Sequence, residues 1–214
     1  MGRNSSGNGY SKAGSKAIAI NSNGTILTSG ATKQMLSSAE SISKLPDREV
    51  VLQLQRGISR YEKVMGVRER DIKVATVRGA YGVTYLNQDG SQGIYLNKSI
   101  FSQKRNKLES DYKKQNYDTG FKNLTNRPIQ HTITHELAHA TWTSSYTSTK
   151  AKGAGKEIKE LYKSWSRDKS KKGYGEYGKS NVDEFWAEVI TKGIHGKSDK
   201  YTRKAISIAK KYKL

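Results

Sequence analysis

The chain has 214 residues, which is enough for one domain with a hydrophobic core and too few for two full domains. It contains no cysteine, which excludes a disulfide framework, a thiolate metal site and a cysteine nucleophile. Lys and Arg outnumber Asp and Glu by 39 to 19, and the formal charge of +20 predicts attraction to nucleic acid or to another acidic partner.

The first part of the chain predicts a flexible arm followed by a helix. Residues 1–35 are rich in Gly, Ser and Asn and lack sustained periodicity, so this segment cannot bury enough apolar surface to order itself. Residues 36–214 are expected to form a single domain. Within it, Asp47 can cap a helix whose apolar residues recur at helical spacing as far as Met65, and Gly66 can end that helix.

The next segments predict a small sheet. Residues 72–76 alternate between apolar and polar side chains, which favours a strand. Residues 82–86 and 93–96 flank a strong turn signal at 87–91 and predict a hairpin. Residues 99–117 are highly charged with few apolar anchors, which is compatible with a partly exposed helix or with a loop.

The last part of the chain is predicted to be mainly helical. A Gly/Tyr/Lys loop is expected at 169–179, and Ser180 with Asp183 gives a Ser-x-x-Asp helix start. Helical spacing of apolar residues predicts four helices, at 128–139, 158–165, 181–192 and 201–212.

The first of these four helices carries a metal-binding pattern. Residues 135–139 read His-Glu-Leu-Ala-His, the HExxH pattern. Residues four apart share a helix face, so His135 and His139 can bind one zinc ion at about 2.0–2.1 Å each, while Glu136 can reach a metal-bound water as general base. The alternative is a helix with two incidental histidines, which is weakened because the chain has four histidines in all.

A catalytic zinc usually has three protein ligands and one open position, and residues 140–149 contain no histidine. Glu184 and Glu188 share a helix face, whereas Asp183 is displaced by about 100°, so that face is the best source of a third ligand. His131 lies one turn before His135 and is expected to be out of reach. The full set of candidates for the third ligand is His195, His131, Asp183, Glu184 and Glu188.

Residues 177–188 read Tyr-Gly-Lys-Ser-Asn-Val-Asp-Glu-Phe-Trp-Ala-Glu. This segment resembles the Tyr-Gly-x-x-Asn-x-x-Glu-Phe-Phe-Ala-Glu segment of the anthrax lethal factor-like metallopeptidases, a group that includes the clostridial Pro-Pro endopeptidases. The resemblance covers about residues 93–192, although the lysine-rich stretch 150–172 has no counterpart. It implies a zincin-like α+β fold, with a small antiparallel or mixed sheet, an active-site helix and a helical C-terminal part.

The resemblance also implies roles for individual residues. It makes Glu184 the third zinc ligand, Glu188 the support of a ligand histidine and Tyr177 the donor to the oxyanion, with Tyr174 as the rival tyrosine. In such enzymes an extended peptide is added to a strand at the site, here the strand at 93–96. The implied activity is that of a zinc-dependent endopeptidase acting on extended segments of a protein or peptide substrate.

Two other functions fit the composition. One is a peptidase that acts on nucleic-acid-associated proteins through the +20 charge, and the other is a non-enzymatic basic structural or packaging protein of a virus or mobile element with a zinc site. The charge is also typical of a solvated lysine-rich surface. No apolar stretch suffices for a membrane span or a signal peptide, so cytoplasmic residence is the default, while virion delivery or dedicated secretion would leave no mark. Oligomeric state leaves no signal in the sequence.

Overall fold

The structure is a computed structural model. It describes residues 19–20, 26–27, 33–66, 71–86, 92–122, 126–147, 151–168, 174–196 and 198–214. Most of the predicted arm, the predicted turn at 87–91 and the first residues of the predicted loop, 169–173, lie outside these ranges. Two short strands of the arm are described, and they pair antiparallel: β1 (Ala19–Ile20) and β2 (Ile26–Leu27).

The predicted strands are confirmed, and they form a mixed sheet. They are β3 (Asp71–Ala75), β4 (Gly82–Leu86) and β5 (Gln92–Asn97). The order is β3-β5-β4, with β5 parallel to β3 and antiparallel to β4. Both edges of β5 are therefore occupied. The prediction that residues 93–96 receive a substrate strand is wrong, and β4 is the strand with an unpaired edge in the described sheet.

The first long helices hold the sheet and the HExxH helix together. They are α1 (Lys33–Ser43), α2 (Arg48–Met65) and α5 (Pro128–Thr147). Asp47 caps α2 as predicted, since its side chain accepts from the Glu49 amide, and Gly66 ends it at a φ of 88°. Helix α2 packs so closely on α5 that a Cβ on Gly57 would lie 2.4 Å from Ile133 Cγ2. This close contact with α2 fixes the position of α5.

Helix α1 was not predicted, and it covers the outer edge of β3. Ser38 Oγ accepts a hydrogen bond from the Ile72 amide at 2.9 Å, and Ser41 Oγ accepts from the Val74 amide at 2.8 Å. Serine side chains thus replace a neighbouring strand and satisfy backbone donors that an edge would leave unpaired.

The remaining helices confirm the helical C-terminal part, with local differences. They are α3 (Lys98–Phe101), α4 (Arg105–Tyr112) running into a π-helical turn (Lys113–Tyr117), α6 (Ala154–Arg167), α7 (Tyr177–Ser180), α8 (Val182–His195) and α9 (Lys200–Tyr212). Residues 99–117 are thus a broken helical segment. The predicted loop ends early, because α7 begins at Tyr177. Helix α8 is capped by Asn181, whose side chain accepts from the Glu184 amide at 2.9 Å, and not by Ser180.

The α+β class and the small mixed sheet are confirmed. Helix α5 lies at the centre, between α2, β4 and α8, and most of its side chains are buried. Trp186 on α8 donates its indole hydrogen to Thr141 Oγ1 on α5 at 2.8 Å, which ties the two helices together inside the core. None of the helices in the described ranges is both long and apolar enough to cross a membrane.

Glu62 on α2 makes stability depend on pH. Burial raises the pKa of this partly buried carboxyl to about 7. A raised acid pKa means that the folded state binds the Glu62 proton more tightly than the unfolded state does. The stabilisation that comes from this protonation is complete below about pH 4.5 and is lost as pH rises through about 7. Glu62→Gln should therefore raise the free energy of unfolding at pH 8 by about 1–2 kcal/mol, allowing for solvent screening, and give no gain at pH 4.

Urea unfolding at the two pH values measures this difference. Glu160→Gln, which removes an exposed carboxylate from α6, is the matched control and should change stability little at either pH. Equal stability of Glu62→Gln and wild type at pH 8 would show that burial of the ionised Glu62 carboxylate does not destabilise the fold.

Candidate metal site

Two imidazoles on α5 face one another. His135 and His139 are one helical turn apart, and their Nε2 atoms are separated by 3.0 Å. Each ring is held from behind by a carboxylate of α8: Glu188 Oε1 lies 3.0 Å from His135 Nδ1, and Asp183 Oδ1 lies 2.6 Å from His139 Nδ1. A carboxylate at Nδ1 favours the tautomer with its hydrogen there, which leaves the Nε2 lone pair free to bind a metal.

A third ligand atom completes the group. Glu184 Oε2 lies 3.2 Å from His135 Nε2 and 3.3 Å from His139 Nε2. A tetrahedral ion bound at about 2.0–2.1 Å separates its ligands by about 3.3 Å, so one ion fits between these three atoms. The three side chains predicted to hold the metal are thus close enough together to share one ion.

The electrostatics of this group also favour a cation. Burial raises the pKa of Glu184, but the hydrogen bonds from His135 and His139 outweigh it and hold the pKa far below its ordinary value. For His139, burial lowers the pKa, but the contacts with Asp183 and Glu184 raise it to about 10. The carboxylates of Asp183 and Glu184 therefore favour positive charge beside the two imidazoles, where a metal ion would satisfy all three ligand atoms at once.

A second group of candidate ligands shares His135. The side chains of His131, His135 and Glu188 are buried and close enough to hold a metal. Glu188 Oε1 lies 3.3 Å from His131 Nε2, and His131 Nδ1 lies 3.2 Å from the Tyr117 hydroxyl. These contacts form a buried chain that ends on Nδ1 of His135. All three members of this group are buried, whereas His139 and Glu184 of the first group are partly exposed to solvent.

The predicted general base, Glu136 on α5, packs against β4. Thr84 Oγ1 on β4 is 2.9 Å from Glu136 Oε2 and 3.0 Å from the Glu136 carbonyl oxygen. A Cβ on Gly82 would lie 3.0 Å from Glu136 Cγ, so a side chain at this position would displace the Glu136 side chain. Strand β4 therefore fixes the position of the Glu136 carboxylate, whose charge also acts on His139.

The two candidate tyrosines have different surroundings. The Tyr177 ring stacks on the His135 ring at 5.6 Å between centroids. Burial and the Glu184 carboxylate raise the pKa of Tyr177, so its phenol stays protonated and can donate a hydrogen bond. Tyr174 instead donates its hydroxyl to Asp199, at 2.8 and 2.9 Å from the two oxygens. The structure therefore brings Tyr177, and not Tyr174, to the candidate site.

His195 is separate from both groups of candidate ligands. Its Nε2 lies 3.0 Å from Thr134 Oγ1, and burial together with the charges of His131 and Arg60 lowers its pKa to about 3.

Comparison with known proteins adds no relative. No protein-family model, curated protein or solved structure matches the chain. The resemblance of residues 177–188 to the lethal factor-like metallopeptidases therefore stays a prediction, and any function has to be argued from the side chains of the site.

Sequence reasoning missed three residues of the site. Asp183 was set aside as a ligand, and its contact with His139 Nδ1 was not foreseen. Thr84 on β4 gave no signal, because only the packing of the sheet on α5 brings it to Glu136. Lys122 was also missed, and its ammonium lies 4.5 Å from the centre of the Tyr177 ring.

Proposed function

We propose that the protein is a zinc-dependent endopeptidase of zincin-like fold, which hydrolyses peptide bonds in extended protein segments. The observation that carries the proposal is the spacing of 3.0–3.3 Å among the ligand atoms of His135, His139 and Glu184. Glu136 follows His135 on α5, and its charge raises the pKa of His139. Two imidazoles and one carboxylate are a ligand set typical of catalytic zinc, and three protein ligands leave one position for water. Bound zinc supplies a Lewis acid and lowers the pKa of its water.

The side chains of the chain supply the remaining functions. Glu136 accepts the proton of the attacking water and passes it to the leaving amine. Tyr177 donates its phenol hydrogen to the negative charge that develops on the scissile carbonyl oxygen. Asp183 and Glu188 orient the ligand imidazoles: Asp183 accepts the Nδ1 hydrogen of His139, and the Glu188 carboxylate lies 3.0 Å from Nδ1 of His135.

The surroundings of the site suit an extended peptide. The unpaired edge of β4 offers backbone hydrogen bonds to a further strand, next to the Glu136 carboxylate. Two exposed apolar side chains accompany these contacts: Leu86 lies two residues from Thr84 on β4, and Phe121 packs on Tyr177 with 4.8 Å between ring centres. Exposed apolar side chains beside polar groups are typical of a binding cleft.

Metal analysis followed by a cleavage screen tests the proposal. After dialysis against metal-free buffer, plasma mass spectrometry should find about one zinc ion per chain. The zinc-loaded protein should then cleave members of a peptide library, with products mapped by mass spectrometry, and a chelator should stop the reaction. A folded protein that binds no zinc when offered it, or that holds zinc and cleaves no peptide or protein, would rule out this function.

Replacing Tyr177 by Phe should lower kcat by about 100-fold, as the loss of one oxyanion donor does, and leave the zinc content unchanged. Tyr174→Phe is the matched control: it removes a hydroxyl of the same kind that binds Asp199, so it should lower stability and spare kcat. Steady-state kinetics and zinc content of both variants measure this. A loss of kcat in Tyr174→Phe alone would move the role to Tyr174.

A further inference from the structure

The backbone of Lys122 is fixed beside Tyr177. The Tyr177 amide donates to the Phe121 carbonyl at 2.8 Å, and the Lys122 amide donates to the Asn116 carbonyl at 2.9 Å. Gly175, at a φ of 61°, allows this approach, because a Cβ there would lie 2.8 Å from Lys122 Cα. The peptide unit between Phe121 and Lys122 is therefore hydrogen-bonded at both its carbonyl and its amide, which fixes the backbone that leads into Lys122.

The ammonium of Lys122 lies in the wall of the candidate site. Its Nζ is 4.5 Å from the centre of the Tyr177 ring, and that ring stacks on His135. Burial lowers the pKa of Lys122, but the surrounding negative charges, including those of Glu188 and Glu136, raise it above its ordinary value. Lys122 is therefore a cation at neutral pH, one ring away from a metal ligand.

The carboxylates around Lys122 are engaged elsewhere. Glu184 contacts the two ligand histidines, Glu188 contacts His131 and His135, and Glu136 contacts Thr84. These pairs and the other ion pairs of the described residues do not include Lys122, whose close contact is the Tyr177 ring. An ammonium has three hydrogens to donate, and a largely buried one gains most from a negatively charged acceptor.

We propose that Lys122 binds a carboxylate of the substrate, so that the enzyme prefers peptides with a negative charge next to the cleaved bond. This inference rests on the proposed endopeptidase function and names its substrate class. The +20 charge of the chain agrees with it, because a strongly positive protein draws acidic segments toward its surface. A direct role at the oxyanion is less suited to Lys122, because the Tyr177 ring contacts both Lys122 and His135 and brings the phenol closer to the metal group.

Matched peptides test the proposal with the zinc-loaded full-length protein. One pair differs by Glu against Gln at the positions flanking the bond cleaved in a library peptide, and a second pair differs by a free against an amidated C-terminus. In one of the two pairs, the wild type should cleave the peptide that carries the carboxylate with a kcat/KM about 10- to 100-fold higher than its neutral counterpart. This ratio corresponds to the free energy of a hydrogen bond to a charged group. The pair that responds identifies a side-chain or a terminal carboxylate.

Lys122→Met keeps the length of the side chain and removes its charge, and it should bring this ratio close to one. Lys122→Arg should keep most of the preference. Lys114→Met is the matched control, since it removes an exposed lysine from the neighbouring π-helical turn and should keep the wild-type ratio. A wild type without any preference, or an equal loss on both members of a pair in Lys122→Met, would overturn the proposal, and the second result would indicate a role at the oxyanion.

Binding without turnover separates this inference from the proposed function. The Glu136→Gln protein, with and without Lys122→Met, is titrated with a Glu and a Gln peptide and with the free and amidated forms, and binding is followed by fluorescence anisotropy. Tighter binding of the carboxylate peptide that depends on Lys122 supports the inference even if the wild type cleaves nothing, an outcome that would remove the peptidase activity alone. Cleavage with no Lys122-dependent preference in rate or binding would remove the inference alone.

Discussion

Replacing Glu136 by Gln is expected to lower the rate of peptide cleavage by about 10²- to 10⁴-fold, the contribution of a general acid–base, and to leave the zinc content unchanged. The amide has the same shape as the carboxylate and its oxygen can still accept from Thr84, but it cannot take a proton from water. The metal ligands are untouched. Initial rates on a cleavable quenched peptide and metal analysis of the same samples measure both quantities.

Thr84→Val is the natural control for this experiment. It removes the hydroxyl that contacts Glu136 and keeps the carboxylate, so activity should fall by less than in Glu136→Gln. A fully active Glu136→Gln protein with its zinc in place would show that Glu136 is not the base.

The sequence predicted the HExxH helix well because the information is local. Four-residue spacing on a helix dictates that His135 and His139 share a face, whatever surrounds them. Capping is equally local: Asp47 caps the N-terminus of α2 and Gly66 ends the helix, as predicted. The same angular argument ranked Asp183 below Glu184 and Glu188 as a ligand. It does not predict the contact of Asp183 with His139 Nδ1, because that contact depends on how α8 crosses α5.

Features set by tertiary packing were not predictable. The sequence indicated the hairpin of β4 and β5 but not which strand stays unpaired, because that depends on β3 joining β5 in parallel from far along the chain. Helix α1 was missed because its sequence gives no clear apolar pattern at helical spacing. Its serines stabilise the fold by accepting hydrogen bonds from the backbone of β3, a contact that depends on tertiary packing. Lys122 gave no signal either, since it reaches the site only through the close contact of its backbone with Gly175.

Replacing Glu184 by Ala is expected to remove most of the zinc and all of the metal-dependent cleavage. The variant leaves two imidazoles without the third ligand atom, which now lies 3.2 and 3.3 Å from their Nε2 atoms. Loss of a direct ligand should weaken zinc binding by more than the roughly 10- to 100-fold typical of losing a residue behind a ligand. Competition with a chromophoric chelator gives the zinc affinity, and plasma mass spectrometry gives the retained zinc.

His131→Gln is the matched comparison, because it alters the enclosed group that shares His135 and leaves the three proposed ligands intact. Its zinc affinity should fall by no more than about tenfold, since His131 acts on the ligand histidine from behind, through Glu188. The reverse order, with zinc lost in His131→Gln and kept in Glu184→Ala, would place the metal between His131, His135 and Glu188. A metal enclosed there by buried side chains would act as a structural support, and the endopeptidase proposal would fall with it.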